Sequence, residues 1–342
     1  MKRQTCSSSG QSLAARSASY ALSAVLGAQG TESVLVLADE GAYTVGQLFF
    51  DAACQLSQNV AFVTFPPLSA EYPEPPKPVA GALGCCDVYV AITSKSSKSI
   101  THTVARRKAS AAGARGLTLP GITEELLARP AIRADYNAIA KATEALARRL
   151  NGVRQLRLLS DAGTDIVFDV HGGVWFPERG LCRERGQFSN LPGGEVVSIV
   201  PVEAEGTLVI DASFSGLGKL HSPLILKVEG RHVVAIEGEQ SEELRATLSA
   251  FGPCAFNVAE IGIGMNPEAR VCGHVLEDEK VLGTVHVGLG DNANMGGKTL
   301  GKIVSCGIHV DGVIAAHPQL FADGELVIPE RFFDITKGGL HE

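Results

Sequence analysis

The sequence predicts an α/β protein in which a mostly parallel N-terminal α/β domain precedes a β-rich, metal-binding C-terminal domain. Strand-like and helix-like runs alternate as far as Leu150, which is typical of a parallel sheet covered by helices. After Gly152 short β-type runs follow one another, which favours antiparallel pairing. Glycine-rich strand segments with ligand-type side chains then cluster in the C-terminal half. We therefore expect domains at residues 1–152 and 153–342.

The N-terminal domain is predicted from three apolar runs and the helical spacing between them. The runs predict strands at residues 33–38, 59–65 and 87–93. Helical periodicity and end signals predict helices at 44–58, 101–113 and 122–150, the last one ending before Asn151-Gly152. The proline-rich segment 66–78 predicts a surface loop. Residues 1–30 lack a continuous apolar core and predict an amphipathic first helix, which is not a signal peptide.

The C-terminal domain is predicted from consecutive β-type runs. These lie at residues 155–159, 166–170, 196–200, 208–210, 224–228 and 232–237. One clear helix, at 241–251, interrupts them. This pattern indicates antiparallel sheets.

Composition excludes several classes of function. Lys+Arg 30 against Asp+Glu 37 gives a net charge of −7, so neither nucleic acid nor an anionic membrane is an expected partner. No apolar stretch is long enough to span a bilayer. The 8 cysteines are scattered without a C-x-x-C motif, which indicates reduced, mostly buried thiols in a cytoplasmic protein.

Three C-terminal segments share one design: 260–264 (EIGIG), 286–290 (HVGLG) and 309–311 (HVD). Strand alternation places the ligand-type side chains, with the glycines, on one face and apolar residues on the other. The side chains presented in this way are Glu260, His286, His309 and Asp311, and Glu195 follows the turn at 190–194. Two imidazoles and three carboxylates suit Zn, Mn, Co or non-haem Fe. A pair of ions bridged by a carboxylate would use all five.

These motifs carry a family resemblance. The ordered segments are NLPGGEV (190–196), AEIGIGMNP (259–267), DEKVLGTVHVGLGDN (278–292), GG (296–297) and HVDGV (309–313). Together they resemble the thermophilic-type metallo-aminopeptidases, the aminopeptidase T and S family, over most of residues 186–325. The N-terminal half is similar only weakly, chiefly through 99–107 (SITHTVARR).

The resemblance implies a homodimeric metal-dependent hydrolase that acts on a short peptide or small molecule. Its two-metal centre would activate water, with the proton taken by Glu195 or Glu260. By position, the metal ligands, or carboxylates beside the metals, would be Glu195, Glu260, His286, His309 and Asp311.

One departure keeps an alternative open. The peptidases have a tyrosine seven residues after the motif histidine, and this position is Ala293 here; the chain is also shorter. The shortened architecture is similar to enzymes of aromatic catabolism, including an Fe(II) 2,5-dihydroxypyridine dioxygenase and a nitroanthranilate aminohydrolase. In an Fe(II) ring-cleaving dioxygenase, His286, His309 and Asp311 would form a two-histidine, one-carboxylate face. A degenerate metal-binding scaffold is a third, non-catalytic possibility.

Other polar residues receive weaker predictions. His102 and Asn292 are predicted to bind substrate, although His102 lies at a helix start and fits a local capping role equally well. Arg106 and Arg107 are expected on a solvated helix face, and the alternative is that they hold a substrate carboxylate. The turn at 278–280 (DEK) is expected to be solvated.

Overall fold

The computed structural model describes residues 11–69, 74–95, 99–198, 202–293 and 304–328. The chain divides into two compact units, one of residues 1–136 with 180–192 and the other of residues 137–179 with 193–342. The sequence placed a boundary at residue 152. The division falls earlier because the helix that ends at Leu150 packs its apolar side chains into the core of the second unit.

The helices and strands are as follows. The helices are α1 Leu13–Tyr20, α2 Tyr43–Leu56, α3 Lys77–Leu83, α4 Val104–Ala112, α5 Glu124–Ala128, α6 Tyr136–Leu150, α7 Ser241–Ser249 and α8 Val275–Asp278. The first strands are β1 Val34–Asp39, β2 Val60–Phe65, β3 Val88–Thr93, β4 Arg115–Pro120, β5 Gln155–Leu159, β6 Asp165–Asp169, β7 Trp175–Glu178, β8 Phe188–Asn190, β9 Glu195–Ser198 and β10 Glu203–Ile210. The remaining strands are β11 Ser213–Phe214, β12 Gly218–Lys219, β13 Leu224–Glu229, β14 His232–Glu237, β15 Val258–Gly264, β16 Val285–Gly290, β17 His309–Ile314, β18 Gln319–Ala322 and β19 Glu325–Ile328.

The first unit is built on a parallel sheet, as the alternation of strands and helices predicted. Its strand order is β2-β1-β3-β4-β8, and every neighbouring pair is parallel. Strands β1, β3 and β4 are buried along their whole length, which is usual for a parallel sheet covered on both faces. Strand β4 was not predicted, because Arg115 and Thr118 interrupt its apolar pattern. Both side chains are nevertheless buried.

The single helix predicted over 122–150 is wrong. Helix α5 ends at Ala128, a short 3-10 helix covers Pro130–Arg133, and α6 begins at Tyr136. Pro130 is the physical reason, since proline lacks the backbone N–H of an internal helical residue and clashes with the preceding turn. Helix α3 begins at Lys77 inside the predicted loop 66–78, of which residues 70–73 lie outside the described residues.

The second unit contains two antiparallel sheets, which confirms the predicted β-rich architecture. Their orders are β14-β13-β10-β6-β5-β18-β19 and β12-β11-β17-β16-β15-β9-β7. A shared apolar core takes side chains from both, including Phe168 and Leu226 from one and Ile261 and Val287 from the other. Strand β9 ends at Ser198. The last two residues of the predicted strand 196–200 lie outside the described residues.

Arg106 differs from its predicted exposure, whereas the cysteines are unpaired as predicted. Arg106 is 5% exposed instead of solvated, and its guanidinium stacks 3.7 Å from the centre of the Phe188 ring. The described cysteines, from Cys54 onward, are free thiols, and Cys6 lies outside the described residues. Among those described only Cys182 is buried, so the expectation of mostly buried thiols is wrong. Within the described ranges, no helix combines the length and hydropathy that crossing a bilayer requires.

A partly buried ion pair in the first unit gives a stability prediction. The guanidinium of Arg115, with 6% of its side chain exposed, lies 2.7 Å from the Glu32 carboxylate, and this bond lowers the pKa of Glu32. We expect Glu32→Gln to lower the free energy of unfolding by about 1–2 kcal/mol near neutral pH, as for other charge-assisted hydrogen bonds. Because the pKa of Glu32 is lower in the folded protein than in the unfolded chain, the ion pair contributes its full stability at pH values above the unfolded-state pKa. This contribution is lost as the pH falls through the folded-state pKa.

Urea denaturation at neutral and acidic pH measures this effect. The difference between wild type and Glu32→Gln should shrink as the pH falls below the ordinary carboxyl pKa. Glu229→Gln on β13 is the control, because Glu229 is exposed. An equal loss of stability in both variants, or a loss independent of pH, would contradict the prediction.

Candidate metal centre

Four neighbouring strands of one antiparallel sheet bring the five predicted ligands together. Strands β17, β16, β15 and β9 are adjacent in that order. Cross-strand pairing sets the residues of each pair on the same face of the sheet. The five side chains lie on this common face, namely Glu195 on β9, Glu260 on β15, His286 on β16, and His309 and Asp311 on β17. The opposite face carries the apolar residues of the core, as alternation predicted.

Every one of these side chains lies directly opposite a glycine on the neighbouring strand. The paired residues are Glu195 with Gly264, Glu260 with Gly288, His286 with Gly262, Asp311 with Gly288, and His309 with Gly290. A Cβ atom on Gly262 would lie 2.1 Å from His286 Nε2. A Cβ atom on Gly288 would lie 2.8 Å from His309 Cε1 and 2.9 Å from Asp311 Oδ1. The glycines therefore leave the space that the imidazoles and carboxylates fill.

The side chains form two groups that could each hold a metal ion. One group is Glu195, Glu279 and His286, and the other is Glu260, His309 and Asp311; within each group the ligand atoms lie within 4.8 Å of one another. The Glu260 carboxylate, which belongs to the second group, faces one histidine of each group. Its Oε1 is 3.5 Å from His286 Nε2, and its Oε2 is 3.5 Å from His309 Nε2.

The imidazole of His309 is oriented by a backbone carbonyl. Its Nδ1 donates to the carbonyl oxygen of Asp291 at 2.7 Å, which leaves Nε2 facing Asp311 Oδ1 at 3.1 Å. This is the usual arrangement of a metal-binding histidine, whose outer nitrogen is fixed by a hydrogen bond. Burial would lower the pKa of His309, but Asp311, Glu260 and the Asp291 carbonyl raise it to about 10. The site thus attracts positive charge strongly.

Unpaired buried atoms at the centre also fit a cation. Glu195 Oε2, Glu260 Oε2 and His286 Nδ1 are buried and have no hydrogen-bond partner among the described residues. His286 Nε2 lies 3.4 Å from Glu195 Oε2, which is longer than an ordinary hydrogen bond. Buried polar atoms are expensive when they are unsatisfied, and coordination to a metal ion would satisfy them. The residues present therefore fit a divalent metal ion with nitrogen and oxygen ligands.

The predicted solvated turn at 278–280 is wrong, and it supplies two residues that sequence reasoning missed. Asp278 and Lys280 have no exposed surface, and Glu279 joins one of the ligand groups. Lys280 Nζ lies 2.5 Å from Glu195 Oε1 and 2.7 Å from Glu279 Oε1. The position of DEK directly before the His286 strand was the available signal. A charged tripeptide is, however, usually solvated, so the local pattern alone favoured the wrong interpretation.

Burial and charge act in opposite directions on this cluster. Burial raises the pKa of Glu195 and of Glu279, and Lys280 offsets part of the increase. Burial would lower the pKa of Lys280, but the surrounding glutamates raise it well above its ordinary value. The neighbouring carboxylates therefore favour the charged form of Lys280 in spite of its burial.

The two predicted substrate-binding residues are not part of either ligand group. Asn292 is 4% exposed, and its Oδ1 accepts a hydrogen bond from the backbone N–H of Val304 at 2.8 Å. His102 is exposed in the first unit. Their roles in substrate binding stay predictions. Ala293 is exposed and has no hydroxyl to offer at the position of the peptidase tyrosine. The Gly296-Gly297 motif lies outside the described residues.

Comparison with protein families assigns the chain to a family. Residues 17–287 match the family model "NicX: 2,5-dihydroxypyridine 5,6-dioxygenase". This match covers well over half of the chain, so the chain belongs to this family. The match ends just after His286, and the strand that carries His309 and Asp311 lies beyond it. No curated protein sequence matches the chain significantly.

Solved structures support the same fold. The 2,5-dihydroxypyridine dioxygenase from Pseudomonas putida superposes with a TM-score of 0.73 at 21% identity, covering 93% of this chain and 97% of that one. AmpT from Thermus thermophilus superposes with a TM-score of 0.61 at 16% identity, covering 92% of this chain and 99% of that one. The resemblance to aminopeptidase T therefore holds for the fold, whereas the family is that of the dioxygenase. Family and fold together support an enzyme, and the expected homodimer stays a prediction.

The glycine opposite His286 gives a prediction for metal binding. We expect Gly262→Ala to displace the His286 ring, because the new Cβ would lie 2.1 Å from Nε2. Metal affinity should fall by about 10–100-fold, the cost usually seen when the support of a ligand is lost. Titration of the metal-free protein with Mn²⁺ measures the change.

Gly81→Ala in α3 is the matched control, since nothing lies within 4 Å of a Cβ at that position. It should bind Mn²⁺ as wild type does. Wild-type affinity in a folded Gly262→Ala variant would contradict the steric account of the site.

Proposed function

We propose that the chain is an Fe(II)-dependent dioxygenase that cleaves a hydroxylated pyridine ring, with 2,5-dihydroxypyridine as the first substrate to test. The observation that carries the proposal is the family match over residues 17–287. The side-chain geometry supports it independently, because two histidines and a carboxylate share one sheet face. That combination is the ligand set of many non-haem Fe(II) oxygenases.

The residues divide the work in a simple way. His286, His309 and Asp311 would hold Fe(II), which when bound supplies open coordination positions for O₂ and substrate. Asp291 fixes the imidazole of His309 through its backbone carbonyl. Glu260 Oε2, which has no hydrogen-bond partner and lies beside His309, would accept the proton of a ring hydroxyl.

The overall reaction balances without a further reductant. The bond between ring carbons 5 and 6 breaks, and one oxygen atom from O₂ is added at each end. The ring carbons supply the four electrons that reduce O₂, so one ring consumes one O₂. Glu260 holds the hydroxyl proton during the reaction and returns it to the product.

Oxygen consumption tests this proposal directly. Protein loaded with Fe(II) without air should consume one O₂ for each 2,5-dihydroxypyridine lost, and ¹⁸O₂ should label the product with two oxygen atoms. His309→Ala should lose both iron and activity. His221→Ala, an exposed residue outside both ligand groups, should keep both. Iron-loaded wild type that leaves this substrate and related hydroxypyridines unchanged would refute the proposal.

A metal-dependent hydrolase is the second candidate. The observation that favours it is the Glu260 carboxylate between two ligand groups, which resembles a carboxylate bridging two ions. A hydrolase loaded with Zn, Mn or Co should release the N-terminal residue of a dipeptide without O₂. Glu195→Gln should then abolish hydrolysis while keeping much of the metal. Absence of hydrolysis with every one of these ions would reject this candidate.

A further inference from the structure

Lys280 is a buried cation that the proposed reaction does not use. It follows α8, its side chain is 0% exposed, and its Nζ lies within 3.1 Å of carboxylate oxygens from Glu178, Glu195 and Glu279. A lysine is seldom buried completely unless it is paired, because removing its charge from water is expensive. Its place among three carboxylates therefore needs an explanation beyond packing.

The strand register places two carboxylates side by side next to Lys280. Glu178 on β7 and Glu195 on β9 are directly opposite in the antiparallel register. Like charges in such a pair repel and destabilise the sheet. Lys280 contacts both carboxylates, and Glu279 as well, so one ammonium compensates three neighbouring acids.

The same contact occupies one of the two ligand groups. Glu195 and Glu279 are two of the three possible metal ligands in the group that includes His286, and the Oε1 atom of each accepts a hydrogen bond from Lys280 Nζ. A divalent ion held by the other oxygens of these carboxylates would sit only a few ångströms from the ammonium. In a buried site such repulsion between cations is poorly screened.

The second ligand group has no such competitor. Within ion-pair distance in the described part of the chain, the partners of Glu260 and Asp311 are His286 and His309. An imidazole can release its proton and become a ligand when a metal binds. The ammonium of Lys280 has no lone pair to offer a metal ion, and its contacts with three carboxylates hold it in place.

We propose that Lys280 takes the place of a second metal ion beside Glu195 and Glu279 and limits the centre to one divalent ion per chain. That ion is held by His309 and Asp311 of the second group, beside Glu260, and by His286, the one donor of the first group whose ring nitrogens have no hydrogen-bond partner among the described residues. The proposal rests on the proposed function, which needs a single iron, and it gives Lys280 a specificity role. The chain would then have the acidic residues of a two-ion site, with the Lys280 ammonium in place of the ion beside Glu195 and Glu279.

Counting bound Mn²⁺ tests the proposal without substrate or O₂. The full chain is stripped with chelator, reloaded with excess Mn²⁺ and freed of unbound ion, and metal is measured by elemental analysis and electron paramagnetic resonance. Wild type should hold one Mn²⁺ per chain with the spectrum of an isolated ion. Lys280→Met should hold two, with a spin-coupled spectrum, and Lys280→Arg should stay at one because it keeps the charge.

Two Mn²⁺ ions per chain in wild type, or one in a folded Lys280→Met variant, would overturn the proposal. Circular dichroism decides whether the variant is folded. If it is not, Glu279→Gln provides a second arm, because glutamine can still accept the bond from Lys280. The Glu279→Gln variant should keep one Mn²⁺. Loss of that ion would show that the metal binds in the group that contains Glu195 and Glu279, and this would overturn the proposal.

The outcome is separable from that of the proposed function. A wild-type chain with one Mn²⁺ that fails to cleave hydroxypyridines when loaded with iron would refute the dioxygenase and leave the role of Lys280 intact. A wild-type chain that binds two Mn²⁺ ions, and that consumes O₂ when loaded with iron, would refute the role of Lys280 and support the dioxygenase.

Discussion

The metal-binding face depends on the pairing of each ligand with a glycine across the strand boundary. Neighbouring strands lie about 4.8 Å apart, so an imidazole can lean across its partner strand only where that strand has no Cβ. Glycine weakens a strand, because it packs no side chain and loses much entropy on folding. The opposite face offsets this cost: Ile261, Val287 and Val310 on successive strands enter the core of the second unit. The apolar face of the sheet thus supplies the stability that the glycines of the metal-binding face cost.

Charge imposes the second constraint. Five acidic side chains, of Glu178, Glu195, Glu260, Glu279 and Asp311, lie in or beside the two ligand groups with little exposure to water. Such a cluster is unstable by itself, and positive charge must reach it from inside the chain or from outside. His309 and Lys280 differ in kind as internal sources. The first carries a proton that can be exchanged for a metal ion, whereas the second carries a charge that stays.

The strand alternation of the sequence was sufficient to predict the open face, since period-two patterns in 260–264 and 286–290 are local. It also predicted the parallel and antiparallel layers. It did not predict Lys280, because the burial of that residue is created by β7 and β9, which lie far away in the chain. Pro130 is a helix-breaking signal in the sequence, but the strong helical periodicity of α6 favoured the prediction of one continuous helix. Family membership required more than the ligands, since the same motifs are compatible with a hydrolase and with an oxygenase.

The ligands come from strands that begin at Glu195 and end beyond Asp311, with two other strands between them in the sheet. Before these strands pair, the chain has no pocket for a metal, and only His309 and Asp311 are near each other. The site is therefore complete only when the sheet is formed, so an ion that binds it stabilises the folded chain. Lys280, whose Nζ contacts three of the carboxylates, is a counter-charge that belongs to the chain itself and is present whether or not an ion is bound.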